Sequence, residues 1–212
     1  PGTHFDEQIL AAERNNYLAA ISHSNEMYGL AFIDLTTGGF KATEADSIAD
    51  LRTELDRLKP AEIVLPSGNF RILEALGGIG AVVNEHEDWV FAADSAGYTL
   101  QDHFGVKSLN GFGLKDRHAA VGAAGGVLHY LINTLRRNVA HLQPLKFYQN
   151  TEFLTIDGTS LRNLEILEPF TRDAPNAACL YNSVNHTLTP MGARRLRDWL
   201  TQPLSEIGRI NA

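Results

Sequence analysis

Residues 17–43 read YLAAISHSNEMYGLAFIDLTTGGFKAT, and this stretch decides the fold. Two apolar runs, YLAAISH at 17–23 and YGLAFIDL at 28–35, have the composition of buried strands. Thr36-Thr37-Gly38-Gly39 is turn chemistry, and FKAT at 40–43 brings the chain back. Three strands in such short succession predict an antiparallel meander, because parallel neighbours need a crossover of a dozen or more residues.

Downstream the period changes. Ser47 is the expected N-cap of a helix, with Asp50 three residues on, and Ile48, Leu51, Leu55 and Leu58 recur at helical spacing up to Lys59-Pro60. AEIVL at 61–65 reads as a short buried strand, NFRILEAL at 69–76 as a helix, GAVV at 80–83 as another strand, and Ser95 to Phe104 as a third helix. Helices between strands imply parallel crossovers, so the expected product is a mixed sheet with helices packed on it. A glycine-rich loop, GVKSLNGFGLK at 105–115, then leads to a long helix capped by Asp116, with Val121, Ala124, Leu128, Leu131, Ile132 and Leu135 as one apolar stripe. Gly122, Gly125 and Gly126 interrupt that stripe at roughly 1 kcal/mol each relative to alanine, and the expected compensation is close approach of another backbone.

After about 140 the composition shifts. HLQPLKFYQN reads as a connecting segment, and strand signals fade beyond it. Leu161, Leu164 and Leu167 predict one helix, Leu180 and Val184 another. Thr189 followed by Pro190 is a helix start with Met191, Leu196, Trp199 and Leu200 as its apolar positions, and Ser205 is expected to begin one more. The predicted whole is an α/β region followed by an all-α one, cut short: a linker at 1–15, a sheet domain at 16–140 and helices at 141–212.

Composition bounds the function. The 212 residues are 44% hydrophobic and 20% charged, an ordinary globular balance. One cysteine excludes an internal disulfide framework and argues for a reducing compartment, read here as the cytoplasm. No apolar stretch approaches the roughly 20 residues that cross a bilayer. Eighteen basic against twenty-five acidic residues give a formal charge of −7, which argues against strong autonomous binding of nucleic acid.

Chemistry is sparse. There is no P-loop for phosphates and no H-E-x-x-H metal motif. His103 beside Asp102 reads as a solvated pair rather than metal ligands, and His129 as a packed histidine. Cys179, Ser183 and His186 fall in one short stretch with no oxyanion loop, a poor setting for a nucleophile. A β-meander followed by αβα is the order of the ribonuclease H-like fold, whose nucleases place an aspartate on the first strand and gather further carboxylates around two metal ions. Asp34 is the candidate for that rival reading, but Glu62, Glu85 and Asp88 do not obviously converge on it, and an Asp before Thr-Thr-Gly-Gly ordinarily caps turn amides. Arg194, Arg195 and Arg197 could meet phosphates or form a solvated helix face.

Two motifs carry a resemblance. LTIDGTSLRNLEIL at 154–167 and VNHTLTPMGARRLRDWLTQPL at 184–204 resemble the core-domain signature of the MutS family of DNA mismatch-repair proteins. The matching positions are Asp157, Thr159, Arg162, Asn163, Leu164, Glu165 and Ile166, then Thr187, Thr189, Met191, Gly192, Arg194, Leu196, Arg197, Trp199, Pro203 and Leu204. Ala178-Cys179 stands where the family commonly has Gly-Ser. PGTHFDEQILAAERNNYLAAI at 1–21 is similar to the family's linker from its mismatch-binding domain, and GLAFIDLTTGGF at 29–40 to the start of its ribonuclease H-like connector. The resemblance implies a non-catalytic connector and the start of a helical core, relaying state between a mismatch reader and an ATPase and offering a surface to MutL. In complete proteins of the family it implies a homodimer, mismatched duplex DNA, ATP and magnesium, while this segment would hold no cofactor and no metal. The signature residues are expected to be structural, and Gly105, Gly111 and Gly113 to supply a hinge. The apolar faces of the last helices, with Leu196 and Trp199, are expected to be exposed and to favour self-association.

Overall fold

The computed structural model describes residues 15–149, 152–170 and 179–211. They divide into two compact units, one of Asn16–Gln149 and one holding the described residues from 152 onward.

In the first unit, β1 (Tyr17–Ser24), β2 (Met27–Asp34) and β3 (Gly39–Ala45) form the expected antiparallel meander, with Tyr17 opposite Asp34 and Asp34 opposite Gly39. The tight β1–β2 turn places both Asn25 (φ 50°) and Glu26 (φ 64°) in the left-handed region, as a two-residue hairpin turn of matching twist demands. Next come α1 (Ile48–Leu58), β4 (Glu62–Pro66), α2 (Phe70–Ala75), β5 (Val82–His86), α3 (Ala93–Phe104) and α4 (His118–His129). β4 pairs parallel to β1 and β5 parallel to β4. The six-stranded order is β5-β4-β1-β2-β3-β6, where β6 is the two residues Lys146–Phe147, parallel to β3. Both faces are covered. Ala19, Ile21, Leu30 and Phe32 pack with Leu51, Leu55 and Ile72 of α1 and α2. Their strand neighbours Leu18, Ala20, Ala31 and Ile33 pack with Leu100, Ala120, Ala124 and Leu128 of α3 and α4. Alternation of side chains along a strand is what lets one strand feed two cores.

Helix α4 does not carry a single stripe, as its periodicity suggests. Every residue from Ala119 to Leu128 is buried, because the helix lies between the sheet and α3. Its glycines make that possible: a Cβ on Gly122 would stand 2.5 Å from the Phe91 carbonyl oxygen, so the close approach expected of them is present. Leu131 and Ile132 fall in a π-helical turn, Tyr130–Thr134, that ends the helix. Asp116 is not its cap. It sits at φ 58°, and Glu44 of β3 takes that role, accepting the Ala120 amide at 3.0 Å and pairing with Arg117 at 3.2 Å. A carboxylate from a neighbouring strand thus meets the positive end of the helix dipole.

Other boundaries differ from expectation for local reasons. Ser47 does cap α1, accepting the Asp50 amide. The strand expected at 80–83 starts at Val82 and runs to His86, since its register follows β4 rather than its own apolar run. The third helix starts at Ala93, after a 3-10 turn at Asp88–Phe91. Within the segment read as a connector, Lys146–Phe147 joins the sheet.

The second unit has α5 (Gly158–Asn163), α6 (Leu180–Val184), α7 (Pro190–Thr201) and α8 (Ile207–Ile210). α5 ends before Leu164, which is exposed, because Glu165 turns at φ 49°. The last helix is preceded by Glu206, not Ser205. Among the described residues of this second unit the buried ones are few: Leu161, Ile166, Cys179, Tyr181, Ala193 and Thr201.

Candidate interaction surfaces

Asp34 ends β2 with 2% of its surface exposed. Its Oδ1 accepts the Thr36 amide at 2.9 Å and the Thr36 hydroxyl at 2.6 Å, while its carbonyl accepts the Gly38 amide at 2.8 Å. This is a turn lock. The other acids of the nuclease reading are engaged apart from it. Glu62 accepts from Tyr130 at 2.8 Å and Asn84 at 2.9 Å, Glu85 accepts the Gly68 amide at 3.0 Å, and Asp88 opens the 3-10 turn. Among the described residues, no three His, Cys, Asp or Glu side chains group to hold a metal ion.

A groove of about 540 Å³ opens at the carboxyl ends of β1 and β4, between Ser22 and His23, Pro66, the start of α2 at Phe70 and Arg71, and Ala92 before α3. Crevices at that end of parallel strands are where open α/β sheets commonly take ligands. Around the same unit the large exposed apolar side chains are Phe70, Val82, Trp89 and Tyr98, with Phe70 80% and Tyr98 71% exposed. Such side chains are the usual anchors of protein contacts.

Two histidines of this unit, His129 and His103, are packed against aromatic neighbours. His129, at the end of α4, stands edge-on to Trp89 at 5.3 Å and to His86 at 5.6 Å. Burial holds its imidazole below the ordinary value, and a charge on His86 would press it down further, against the opposing pull of Glu87. His103 is also lowered by burial, with Asp102 pulling the other way. The Tyr130 phenol is pushed up to about 12 by burial and its bond to Glu62. The Glu62–Tyr130–Asn84 group and the Glu44 cap join residues far apart in the chain, so no local motif announces them.

Of the hinge glycines, Gly105 ends α3 at φ 64° and Gly113 turns the loop at φ 79°, while a Cβ on Gly111 would meet open space.

In the second unit, the signature residues sit at helix ends and stacks. Asp157 caps α5, accepting the Ser160 amide at 2.7 Å, and that bond lowers its pKa. Thr159, Arg162 and Asn163 lie on α5 with Thr159, Arg162 and Asn163 all exposed. Glu165 accepts the Phe170 amide at 2.8 Å, and its carbonyl accepts the Leu180 amide. Thr187 binds Asn185, Thr189 caps α7 through the Gly192 amide at 3.1 Å, and a Cβ on Gly192 would come 3.2 Å from Thr187. Arg197 stacks on Tyr181 at 3.9 Å and Arg195 on Trp199 at 5.3 Å, while Arg194 is half-buried. Met191 (74%) and Trp199 (60%) are exposed, and Leu196 is half-buried. Cys179 is buried with its thiol toward the Leu167 carbonyl, Ser183 donates to the Cys179 carbonyl, and His186 is exposed.

Comparison with known proteins agrees with this division. The sequence pattern of MutS domain II matches residues 16–143, and that of MutS domain III matches 159–212. The chain is 37% identical to the DNA mismatch repair protein MutS of Salinibacter ruber over 99% of its own length and 24% of that protein's. It is 36% identical to the protein of the same name from Methanosarcina acetivorans, covering 100% of the chain and 25% of the relative, and 38% identical to that of Solibacter usitatus, covering 96% and 24%. The chain therefore spans about a quarter of the length of these relatives. With its domain II and domain III matches in that order, the chain belongs to the MutS family of DNA mismatch-repair proteins.

Proposed function

We propose that the chain is the connector and the beginning of the core of a MutS-type mismatch-repair protein, a relay segment with no chemistry of its own. Residues 1–15 are the linker from the mismatch reader, 16–140 a connector of ribonuclease H-like fold, and 141–212 the first part of a helical core. One observation carries this reading: the two domain matches fall in order, the first on the sheet unit and the second on the helices. The complete protein binds mismatched duplex DNA, uses ATP with magnesium, acts as a homodimer and works in the cytoplasm. Among the described residues no helix is long and apolar enough to cross a membrane. The connector offers MutL a docking surface, and Phe70, Trp89 and Tyr98 are its exposed aromatic candidates. The loop 105–115 is the hinge, with Gly105, Gly111 and Gly113 giving it backbone freedom.

The test is a calorimetric titration of this chain with the N-terminal domain of a matching MutL, with mismatched duplex as a second titrant. Saturable MutL binding and weak DNA binding are expected. Absence of MutL binding removes the docking role, and tight DNA binding by this chain removes the division of labour.

A further inference from the structure

The chain leaves the first unit after Gln149, and the last piece it attaches there is β6. That strand pairs only Lys146 with Lys41 and Phe147 with Ala42, on the outer edge of β3. Beyond it the Tyr148 amide donates to the Ala42 carbonyl at 3.1 Å, and the Thr43 hydroxyl donates to the Tyr148 carbonyl at 2.8 Å. So short an edge strand has too few ladder bonds to hold itself in place, and edge segments open at the low end of a protein's range of local stabilities.

Two side chains hold it, one on each face of the sheet. Phe147 joins the core on the α4 side, with Arg117 over its ring at 5.1 Å. Gly113 lies so near that a Cβ there would stand 3.4 Å from the Phe147 Cβ. Tyr148 turns to the α1 side, edge-on to Phe32 at 6.2 Å, and its hydroxyl donates to Glu54 at 2.8 Å. Glu54 is itself paired with Arg57 at 2.7 Å, both side chains only 9% exposed. Burial and the Glu54 charge hold the phenol well above its usual range, so it stays a neutral donor. Just upstream, Leu142 and Leu145 are buried in the core on the α4 side, more deeply than the half-buried Phe147.

We infer that residues 146–148 are a releasable clip, held by Phe147 and by the Tyr148–Glu54–Arg57 cluster, which opens while β1 to β5 stay folded. Opening moves the point at which the sheet holds the outgoing chain from Tyr148 back to Leu145. Three freed residues add about 10 Å of reach at ~3.3–3.6 Å each. Everything C-terminal to the clip gains that slack in one step, which supplies the discrete two-state element that a relay between domains requires. The contact of Gly113 with Phe147 makes the glycine loop one wall of the clip. The clip goes beyond the relay reading and its test involves no DNA, nucleotide or MutL, so the two fail independently.

Native-state hydrogen exchange on the whole chain tests it, with the Tyr148 amide read against the β1–β2 ladder. The Tyr148 amide should exchange at least about a hundredfold faster than the ladder, by an opening insensitive to low denaturant. Tyr148→Phe removes one bond to a charged acceptor and should speed that amide by about tenfold, leaving the ladder unchanged. Phe147→Leu should speed the same amide from the other face. Exchange of Tyr148 in step with the ladder, or a Tyr148→Phe effect spread equally over the sheet, overturns the clip. A Tyr148 amide that exchanges early but ignores both substitutions overturns the two anchors as its cause.

Discussion

The two units solve burial in different ways. In the first, six strands and four helices meet across a sheet with a core on each face, and four large apolar side chains are well exposed among its described residues. In the second, less than half the size, ten are: Leu154, Leu164, Phe170, Leu180, Val184, Leu188, Met191, Trp199, Ile207 and Ile210. The first is held by contacts distant in sequence. The second, among its described residues, has no sheet and a small core: it combines local caps at Asp157 and Thr189 with a few distant ties, the Arg197–Tyr181 stack, the Leu154 amide on the Pro203 carbonyl at 2.8 Å and Arg209 on Glu152 at 3.1 Å. One tryptophan lies in each, Trp89 and Trp199, so the comparison can be probed unit by unit with single-tryptophan variants.

The largest effect should come from the tightest approach. Gly122→Val places carbon where the Phe91 carbonyl and the Ser22 hydroxyl already sit, at 2.5 and 3.0 Å from an added Cβ. Overpacking of that kind should cost the first unit about 3 kcal/mol, read as a lowered denaturant midpoint from Trp89. Leu188→Ala, which truncates a side chain that is 99% exposed, should stay within about 0.5 kcal/mol when read from Trp199. Comparable losses in the two units would dissolve the contrast.

The next effect concerns association. The exposed apolar side chains of α6, α7 and α8 should make the chain self-associate, and removal of 185–212 should raise the concentration at which light scattering departs from monomer by about tenfold, the share of one buried large side chain. A clean monomer unaltered by the deletion would show that these side chains are tolerated singly.

These contrasts also explain what could be read from the chain. The meander was legible because its turn residues and apolar runs are contiguous: Thr36 to Gly39 close on Asp34 within a few positions. So were the caps at Ser47 and Thr189, whose partners lie three residues away. The cap on α4 was not, because Glu44 is 76 positions from the amide it accepts, and Asp116 offered a nearer but idle carboxylate. β6 was hidden for the same reason: two residues have no period, and only Lys41 and Ala42 make them a strand. The apolar stripe of α4 misled because a helix buried all round keeps no polar face. No constellation of local residues marked the groove at 22–23, 66–71 and 88–92, since three separate chain segments build it.

A smaller effect should separate the caps. Thr189→Ala should cost the second unit about 1 kcal/mol, seen from Trp199 and not from Trp89. An equal shift at both tryptophans would mean that the units unfold as one.

The smallest expected effect is also the most selective, because the two units hold titratable groups displaced in different windows. His129 is lowered from 6.5, first by burial and then by His86. The unfolded chain takes up that proton before the folded one does, so the associated stability is complete above about pH 6.5 and is lost as pH falls through the lowered folded value. Asp157 is lowered from 3.8 by the Ser160 amide, so its contribution is complete above that value and is lost only as pH falls further, through the folded value beneath it. Denaturation followed from Trp89 should therefore weaken as pH falls below about 6.5 while that from Trp199 holds, and the Trp199 curve should weaken in its turn only as pH falls below 3.8. His129→Asn should reduce the first response, His103 supplying the remainder, and Asp157→Asn should reduce the second. A Trp199 midpoint that moves with Trp89 in the upper window would show that the second unit responds to the charge on His129, and the independence of the two units would have to be given up.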